Sequence, residues 1–323
     1  MKSFTQGLAM LILLNTTACI ASYSTPNAPG PRPMGYGTSP QQVQISLQVF
    51  YDQLSPYGTW VSYNNYGYVW IPSAGPDFFP YASEGHWVFT NIGWTWYSNY
   101  SWGWAPFHYG RWLFDNYYGW IWVPDTEWGP AWVVWRGGGD FYGWAPLEPG
   151  INISIVLGGN HQVHHDRWIF VRNGDIGRSN VYSYTVNRTS NTTIINNTTV
   201  IQNTRTNTQN NKTYIAGPDR NDVQRVTGRP VRQVAIQEAT QPGQMLKGDQ
   251  LRIYKPAVQR NGNSGQKSAP AKIENLKNVK PVNERPKVNS QQGKQSPAKG
   301  KGNQEKPAKK KGKKGGNKGH EYS

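Results

Sequence analysis

The sequence predicts an all-β fold: an antiparallel sheet or partial barrel of repeated aromatic hairpins, followed by a disordered basic C-terminal tail. Three observations carry this. All 15 tryptophans lie between Trp60 and Trp168. Gly67, Gly93 and Gly119 recur every 26 residues, as do Trp70, Trp96 and Trp122, and a fixed period marks one supersecondary unit used several times. The arms of each unit alternate, with Trp87 and Phe89 on one side of Val88 and Trp94 and Trp96 on one side of Thr95, which is the strand period.

Each unit reads as a hairpin. The first arms open Gly58-Thr59-Trp60, Gly85-His86-Trp87 and Gly110-Arg111-Trp112. The turns hold Asn64-Asn65, Thr90-Asn91 and Asp115-Asn116, each followed within three residues by Gly; Asn and Gly tolerate the positive φ of tight turns. Pro72 and Pro124 close second arms, where a missing N–H matters least. The third copy carries Tyr117-Tyr118 where the others carry one residue, so its loop is longer or bulged. From Tyr57 to Pro146 there are 14 Trp, 11 Tyr and 6 Phe against 10 Val, Ile, Leu and Met. At ~150–250 Å² per aromatic ring, burying half of them is ample for a small domain. Some rings are therefore expected at a surface, a groove or an oligomer contact. Trp60, Trp70, Trp87, Trp94, Trp96, Trp112, Trp120 and Trp122 form the aromatic core or a ligand platform.

In chain order, residues 1–18 read as an export signal: Lys2, then the short apolar run from Leu8 to Leu14, too short to span a bilayer stably. Cys19, the single cysteine, stands where a lipoprotein signal places it, after a small residue, although Thr16 replaces the usual upstream Leu. Lipidation of Cys19 is the first reading, and ordinary cleavage near Ala18 or Ala21 is the other. Residues 19–42 read as a tether. Residues 43–49 alternate as a first strand, and residues 50–54 turn the chain into the first repeat. The stretches around Trp102-Gly103-Trp104, Trp128-Gly129-Pro130 and Gly143-Trp144 read as short strands or turns joining hairpins. Residues 151–157 and 168–171 read as further strands, completing a β-domain over 43–186. Residues 187–216, with Ile194-Ile195 and Val200-Ile201 as adjacent apolar pairs, have no single buried face and read as a loosely ordered Asn/Thr spacer. Residues 217–256 read as a small β-module. Residues 257–323 carry 17 Lys and Arg against 4 Glu, most of the chain's net +16, and read as disordered. Lys309, Lys310, Lys311, Lys313 and Lys314 are the candidate polyanion-binding group.

The motifs Tyr57-Gly58-Thr59-Trp60, Tyr68-Val69-Trp70-Ile71-Pro72, Trp102-Gly103-Trp104-Ala105-Pro106, Tyr109-Gly110-Arg111-Trp112, Trp128-Gly129-Pro130-Ala131-Trp132 and Gly143-Trp144-Ala145-Pro146 resemble those of a bacterial family of exported Trp-rich proteins with a domain of unknown function. The resemblance covers roughly residues 43–215. It implies export and a bacterial source with an outer membrane, and it implies no catalytic residues.

Chemistry is sparse. His161, His164 and His165 are the best metal-ligand set, since imidazoles three and four apart chelate when helical, but loop histidines are commonly plain polar residues. His108 reads as packed among aromatics. Asp125 and Glu127, two apart, are the only pair placed to resemble glycosidase acids. Gly137-Gly138-Gly139 lacks the Lys-Ser/Thr of a phosphate loop and reads as a turn. No Ser-His-Asp or Cys-His arrangement and no cofactor motif stands out. Between Tyr57 and Pro146 there are six acids and two bases, the wrong sign for nucleic-acid stacking. The resulting expectation is a non-enzymatic cell-envelope or secreted module, in the outer membrane or periplasm as a lipoprotein. Its expected partners are an envelope polymer or surface protein, the membrane through the lipid anchor, and an anionic polymer through the tail. The alternative is a carbohydrate-binding module using exposed Trp and Tyr, and a glycoside hydrolase ranks below both.

Overall fold

The computed structural model describes residues 44–159, 162–207, 212–262, 265 and 267–287. After β1 (Gln44–Ser46) and α1 (Gln48–Leu54) come four antiparallel hairpins. They are β2 (Gly58–Ser62) with β3 (Tyr68–Pro72), β4 (Gly85–Thr90) with β5 (Gly93–Ser98), β6 (Tyr109–Asp115) with β7 (Gly119–Trp128), and β8 (Val133–Gly138) with β9 (Phe141–Pro146). The fold is all-β, in several mainly antiparallel sheets with few helices, and none closes into a barrel. Of the short strands or turns expected around Gly143, the structure forms a strand, β9, which pairs with β8 as a fourth hairpin rather than joining others. Its Gly139, at φ 55°, lies in the turn.

One device recurs in the hairpins. A Trp faces a Trp across each: Trp60 and Trp70, Trp87 and Trp96, Trp112 and Trp122, Trp135 and Trp144. In the first three, the Trp of the second arm also lies over the Gly two residues before its partner. A Cβ at Gly58 would run into the Trp70 indole, one at Gly85 into the Trp96 indole, and one at Gly110 into Trp122 Nε1. The Gly-x-Trp opening of each repeat is therefore steric: the Gly makes room and the facing ring covers the bare backbone. The repeat glycines Gly67, Gly93 and Gly119 sit at φ 72°, 109° and 72° in the turns, where a Cβ is strained. In the third turn Asp115 Oδ1 accepts from the Tyr117 and Tyr118 amides, both at 2.8 Å, and the Tyr63 hydroxyl donates to Oδ2 at 2.6 Å. Burial works to raise the Asp115 carboxyl, yet these donors hold it below the usual range. Pro124 does not end its strand. It lies in the irregular stretch opposite Gly110, between the Arg111–Val123 and Tyr109–Trp128 pairs, and β7 runs on to Trp128.

Hairpins one and three share a sheet in the order β2-β3-β7-β6, joined at Trp70 and Trp122. The rings then meet in one core, with Trp87 and Trp135 centroids 4.5 Å apart and Trp87 and Trp144 5.4 Å apart. Of the 31 aromatics from Tyr57 to Pro146 only Tyr66 and Tyr117 are exposed, at 42% and 52%, so few of the rings lie at the surface of the described residues. The cover comes from segments that follow the hairpins in the chain.

Those segments contain α2 (Ile153–Leu157), β10 (Ile169–Arg172), α3 (Asn191–Asn196), β11 (Thr199–Val200), β12 (Thr204–Asn207), β13 (Lys212–Ile215), α4 (Arg220–Thr227), β14 (Gln233–Glu238), β15 (Gln244–Lys247), β16 (Gln250–Ile253) and β17 (Ala257–Gln259). Three expectations change. Within residues 151–157 the chain forms helix α2 (Ile153–Leu157), which the Asn152 side chain caps by accepting from Ser154 N at 3.1 Å. Likewise Leu47, Phe50, Tyr51 and Leu54 follow a helical period, so the first strand stops at Ser46. Residues 187–216 are docked, and their anchors are polar: buried Asn191 donates to the His165 and Trp168 carbonyls at 2.8 and 2.9 Å, and Arg136 donates to carbonyls at the C-terminal end of α3. β11 then pairs with β8, and Ala216 lands on the Gly93 turn, its carbonyl accepting from Trp94 N at 2.8 Å.

The third change concerns residues 217–256, expected as a separate module. Here β14 pairs parallel with both β4 and β16, giving one sheet ordered β15-β16-β14-β4-β5. The tail boundary moves as well. β17 pairs with β1, and residues 267–287 run over the outer face of the β2-β3-β7-β6 sheet. The stretch beyond 287, with Lys309 to Lys314, lies outside the described residues, as do Cys19 and the expected signal and tether.

His108 is fully buried. Its Nδ1 lies 2.9 Å from the Gly129 carbonyl and its ring stacks on Trp128 at 5.5 Å. Burial pushes its pKa down from 6.5 to about 4. Between those values the unfolded chain holds a proton that the folded chain refuses, so stability falls as pH drops through that window and is flat above it. His86 is also lowered by burial and adds to the slope.

Two outcomes are expected. Trp96→Ala and Trp122→Ala each cost ~3–5 kcal/mol, and Gly85→Ala costs ~1–3 kcal/mol through overpacking against Trp96; denaturant midpoints within error of wild type would refute the Gly–Trp packing. The protein also loses about 3 kcal/mol between pH 7 and pH 4 through His108, and His108→Gln flattens that part of the profile in urea titrations at stepped pH.

Candidate functional site

The eight tryptophans named from the sequence are all buried, the most accessible being Trp120 at 6%. They are core, and their faces are occupied by other rings. Several indole N–H groups are spent on backbone carbonyls: Trp60 to Tyr51, Trp70 to Leu54, Trp94 to Pro218 and Trp122 to Tyr109, at 2.7 to 3.2 Å. Site chemistry is left to the margins of the domain.

Asp125 and Glu127 lie on β7 beside Arg111, whose guanidinium packs 3.5 Å from the Trp132 ring centre. Burial holds Arg111 below the usual guanidinium range, opposed by Tyr81, Asp125 and Glu127. Each carboxylate meets a cation from a later segment: Arg260 reaches Asp125 at 3.0 Å and Lys212 reaches Glu127 at 2.7 Å. The pair thus ties residues 212 and 260 to the third hairpin through solvent-screened bridges.

His161 lies outside the described residues. His164 Nδ1 sits 2.5 Å from Asp166 Oδ1, and Arg167 sits 2.6 Å from Asp166 Oδ2 while packing over Phe114 at 3.6 Å. Burial works to raise Asp166, but His164 and Arg167 hold it below the usual carboxylate range. His165 turns its ring toward His164, with centroids 4.4 Å apart, and its carbonyl receives Asn191. Among the described residues no group of three or more His, Cys, Asp or Glu is placed to hold a metal ion.

The feature that the sequence reading missed is the strap of residues 267–287. It is amphipathic, with 3-10 turns at Leu276–Asn278 and Val282–Glu284. Leu276 and Val279 turn inward onto Val61, Val69, Ile71 and Ile121, and Val282 sits on Gly119. Backbone bonds fasten it: Glu274 N to the Trp60 carbonyl at 2.8 Å, Val282 N to the Tyr117 carbonyl at 2.7 Å, and the Tyr118 hydroxyl to the Leu276 carbonyl at 3.2 Å. Lys272, Lys277, Lys280 and Lys287 stay exposed on its other side. Lys272, Lys280 and Arg285 also line a cleft of about 490 Å³ between the strap and β2. Alternation of Ile273, Leu276 and Val279 with lysines was the available signal, masked by the low-complexity composition around it.

Two further clefts flank the hairpins. One of about 460 Å³ has Phe79, Phe114, Trp120 and Tyr182 in its walls, with Arg188 over Phe79. The other, of about 530 Å³, opens beside β4. Among the described residues no helix is long and apolar enough to cross a membrane. No curated protein and no solved structure matches the chain. Residues 51–151, which run from α1 to just past β9 and so take in all four hairpins, match a family of unknown function (DUF6600).

Proposed function

We propose that this is a non-enzymatic bacterial envelope or secreted protein, a rigid aromatic scaffold that fastens and presents a polycationic C-terminal segment to an anionic polymer of the cell surface. The observation that carries the reading is the strap. Its apolar residues are spent on the outer face of the sheet, its lysines point away, and the chain then continues into 36 residues with ten Lys and two Glu. Like charges at that density repel one another and attract polyanions without sequence preference. Export and lipidation at Cys19 are supported by the apolar run before the single cysteine.

Full-length protein is expected to be retained on immobilised polyphosphate at low salt and released by a few hundred millimolar salt, as screening predicts. A chain ending at Lys287 loses retention and keeps its melting temperature, whereas a chain ending at Pro256 also melts lower, because the outer face of the sheet is uncovered. Equal retention by the chain ending at Lys287 would remove the tail from the site. Retention of a neutral polysaccharide by both chains would instead favour the carbohydrate-binding reading, with the cleft of Phe79, Trp120 and Tyr182 as its place. For the anchor, wild type fractionates with membranes and Cys19→Ser does not. A mature N-terminus at Ser22 without an acyl group, seen by mass spectrometry, would overturn lipidation.

A further inference from the structure

The cleft beside β4 exists because one segment is pulled off a strand edge. β14 joins β4 only through Gln233 and Val234, opposite Phe89 and Thr90. Extended backwards, the parallel register would lay residues 229–232 along residues 85–88, yet no pairing forms there. Pro230 has no N–H to give. The Val231 backbone is already engaged: its N–H donates to Gln224 Oε1 at 2.9 Å, and its carbonyl accepts from Arg220 Nε and Nη2 at 2.9 and 2.7 Å. Both partners sit on α4, so the segment leans to the helix and leaves a space of about 530 Å³, the size of a small-molecule site.

The floor is apolar, formed by Val88, Val223, Val234 and Leu246. The charged lining is Arg178, Arg229 and Arg232, and no carboxylate is among the lining residues. Arg178 pairs with Asp175 and Arg232 with Asp249 in solvent-exposed bridges, which are weak and readily exchanged for a better anion. Arg229 is exposed and forms no ion pair among the described residues. Guanidinium forks grip phosphate and carboxylate bidentately, while a bare anion would leave the apolar floor uncovered.

We propose that this cleft binds an anionic amphiphile, with an alkyl or acyl body on the floor and a phosphate or carboxylate head held at the rim by Arg229, Arg232 and Arg178. The site is separate from the lysine tail, which stays intact in every protein compared. The test is titration calorimetry on the full chain, below the micelle concentration, with dodecyl phosphate, dodecanoate, dodecyl maltoside and inorganic phosphate. One-to-one binding of an anionic amphiphile is expected, weakened by about tenfold or more in Arg229→Gln/Arg232→Gln, whose exposed positions leave the melting temperature unchanged. Leu246→Trp, which fills the floor, weakens it as well. Preference for dodecyl phosphate assigns a phosphate head and preference for dodecanoate a carboxylate head. Equal binding of dodecyl maltoside or of inorganic phosphate, or binding unaffected by both variants, would overturn the proposal.

Discussion

The structure depends on an indole lying across a glycine. In Gly58 with Trp70 and Gly85 with Trp96, the ring and a carbonyl of the facing strand occupy the volume that a Cβ would need, and at Gly110 the Val123 carbonyl fills it with Trp122 Nε1 beside it. Glycine alone weakens a strand, since it has no side chain to pack and costs more backbone entropy. The facing ring reverses that disadvantage by covering the ladder and extending apolar contact past its own strand pair. The second-arm rings pack against first-arm rings, Trp96 on Trp87 at 5.2 Å and Trp122 on Trp60 at 6.2 Å between centroids, within the range of favourable edge and offset contacts.

A core this rich in tryptophan raises the question of why phenylalanine would not serve. The indole N–H answers part of it. Trp60, Trp70, Trp94, Trp122, Trp132 and Trp144 each donate to a backbone carbonyl, at Tyr51, Leu54, Pro218, Tyr109, His108 and Tyr81. Five of these six carbonyls belong to helices, turns or loops, so each ring both fills the core and fixes a connecting segment. Trp87, Trp96, Trp112 and Trp135 have no such acceptor. A buried donor without a partner costs ~1–3 kcal/mol, and ring packing must offset that at the centre of the core.

This division explains what was legible in the sequence. Period and alternation located three hairpins, because the Gly and Trp positions that create the device are spaced by it. The fourth escaped, because Val133 stands where the others have Gly and Phe170 of β10 covers Gly143 in place of a facing Trp. Residues 187–216 and 267–287 escaped for another reason. Their attachment rests on single polar anchors such as Asn191 and Arg136, which form no period, and on Leu276, Val279 and Val282, whose three-residue spacing is short and sits in low-complexity sequence. The ion pairs of Asp125 and Glu127 were likewise invisible, since Arg260 and Lys212 lie far along the chain. The cleft beside β4 left only Pro230 between Arg229 and Arg232 as a trace.

The repeat glycines join the two levels. Gly93 and Gly119 have the left-handed or extended positive φ that their turns demand, and the absence of a Cβ also leaves a socket. Ala216 closes the first socket at the end of the Asn/Thr segment, and Val282 closes the second near the end of the strap. One residue type thus satisfies the turn and receives a distant segment. The aromatic hairpins would otherwise expose Val61, Val69, Ile71 and Ile121 on the outer sheet face, an apolar patch of the kind that drives association. Covering that face with a strap whose other side is lysine turns an aggregation hazard into a charged surface. The same residues that complete the fold therefore set the direction in which the basic end of the chain leaves it.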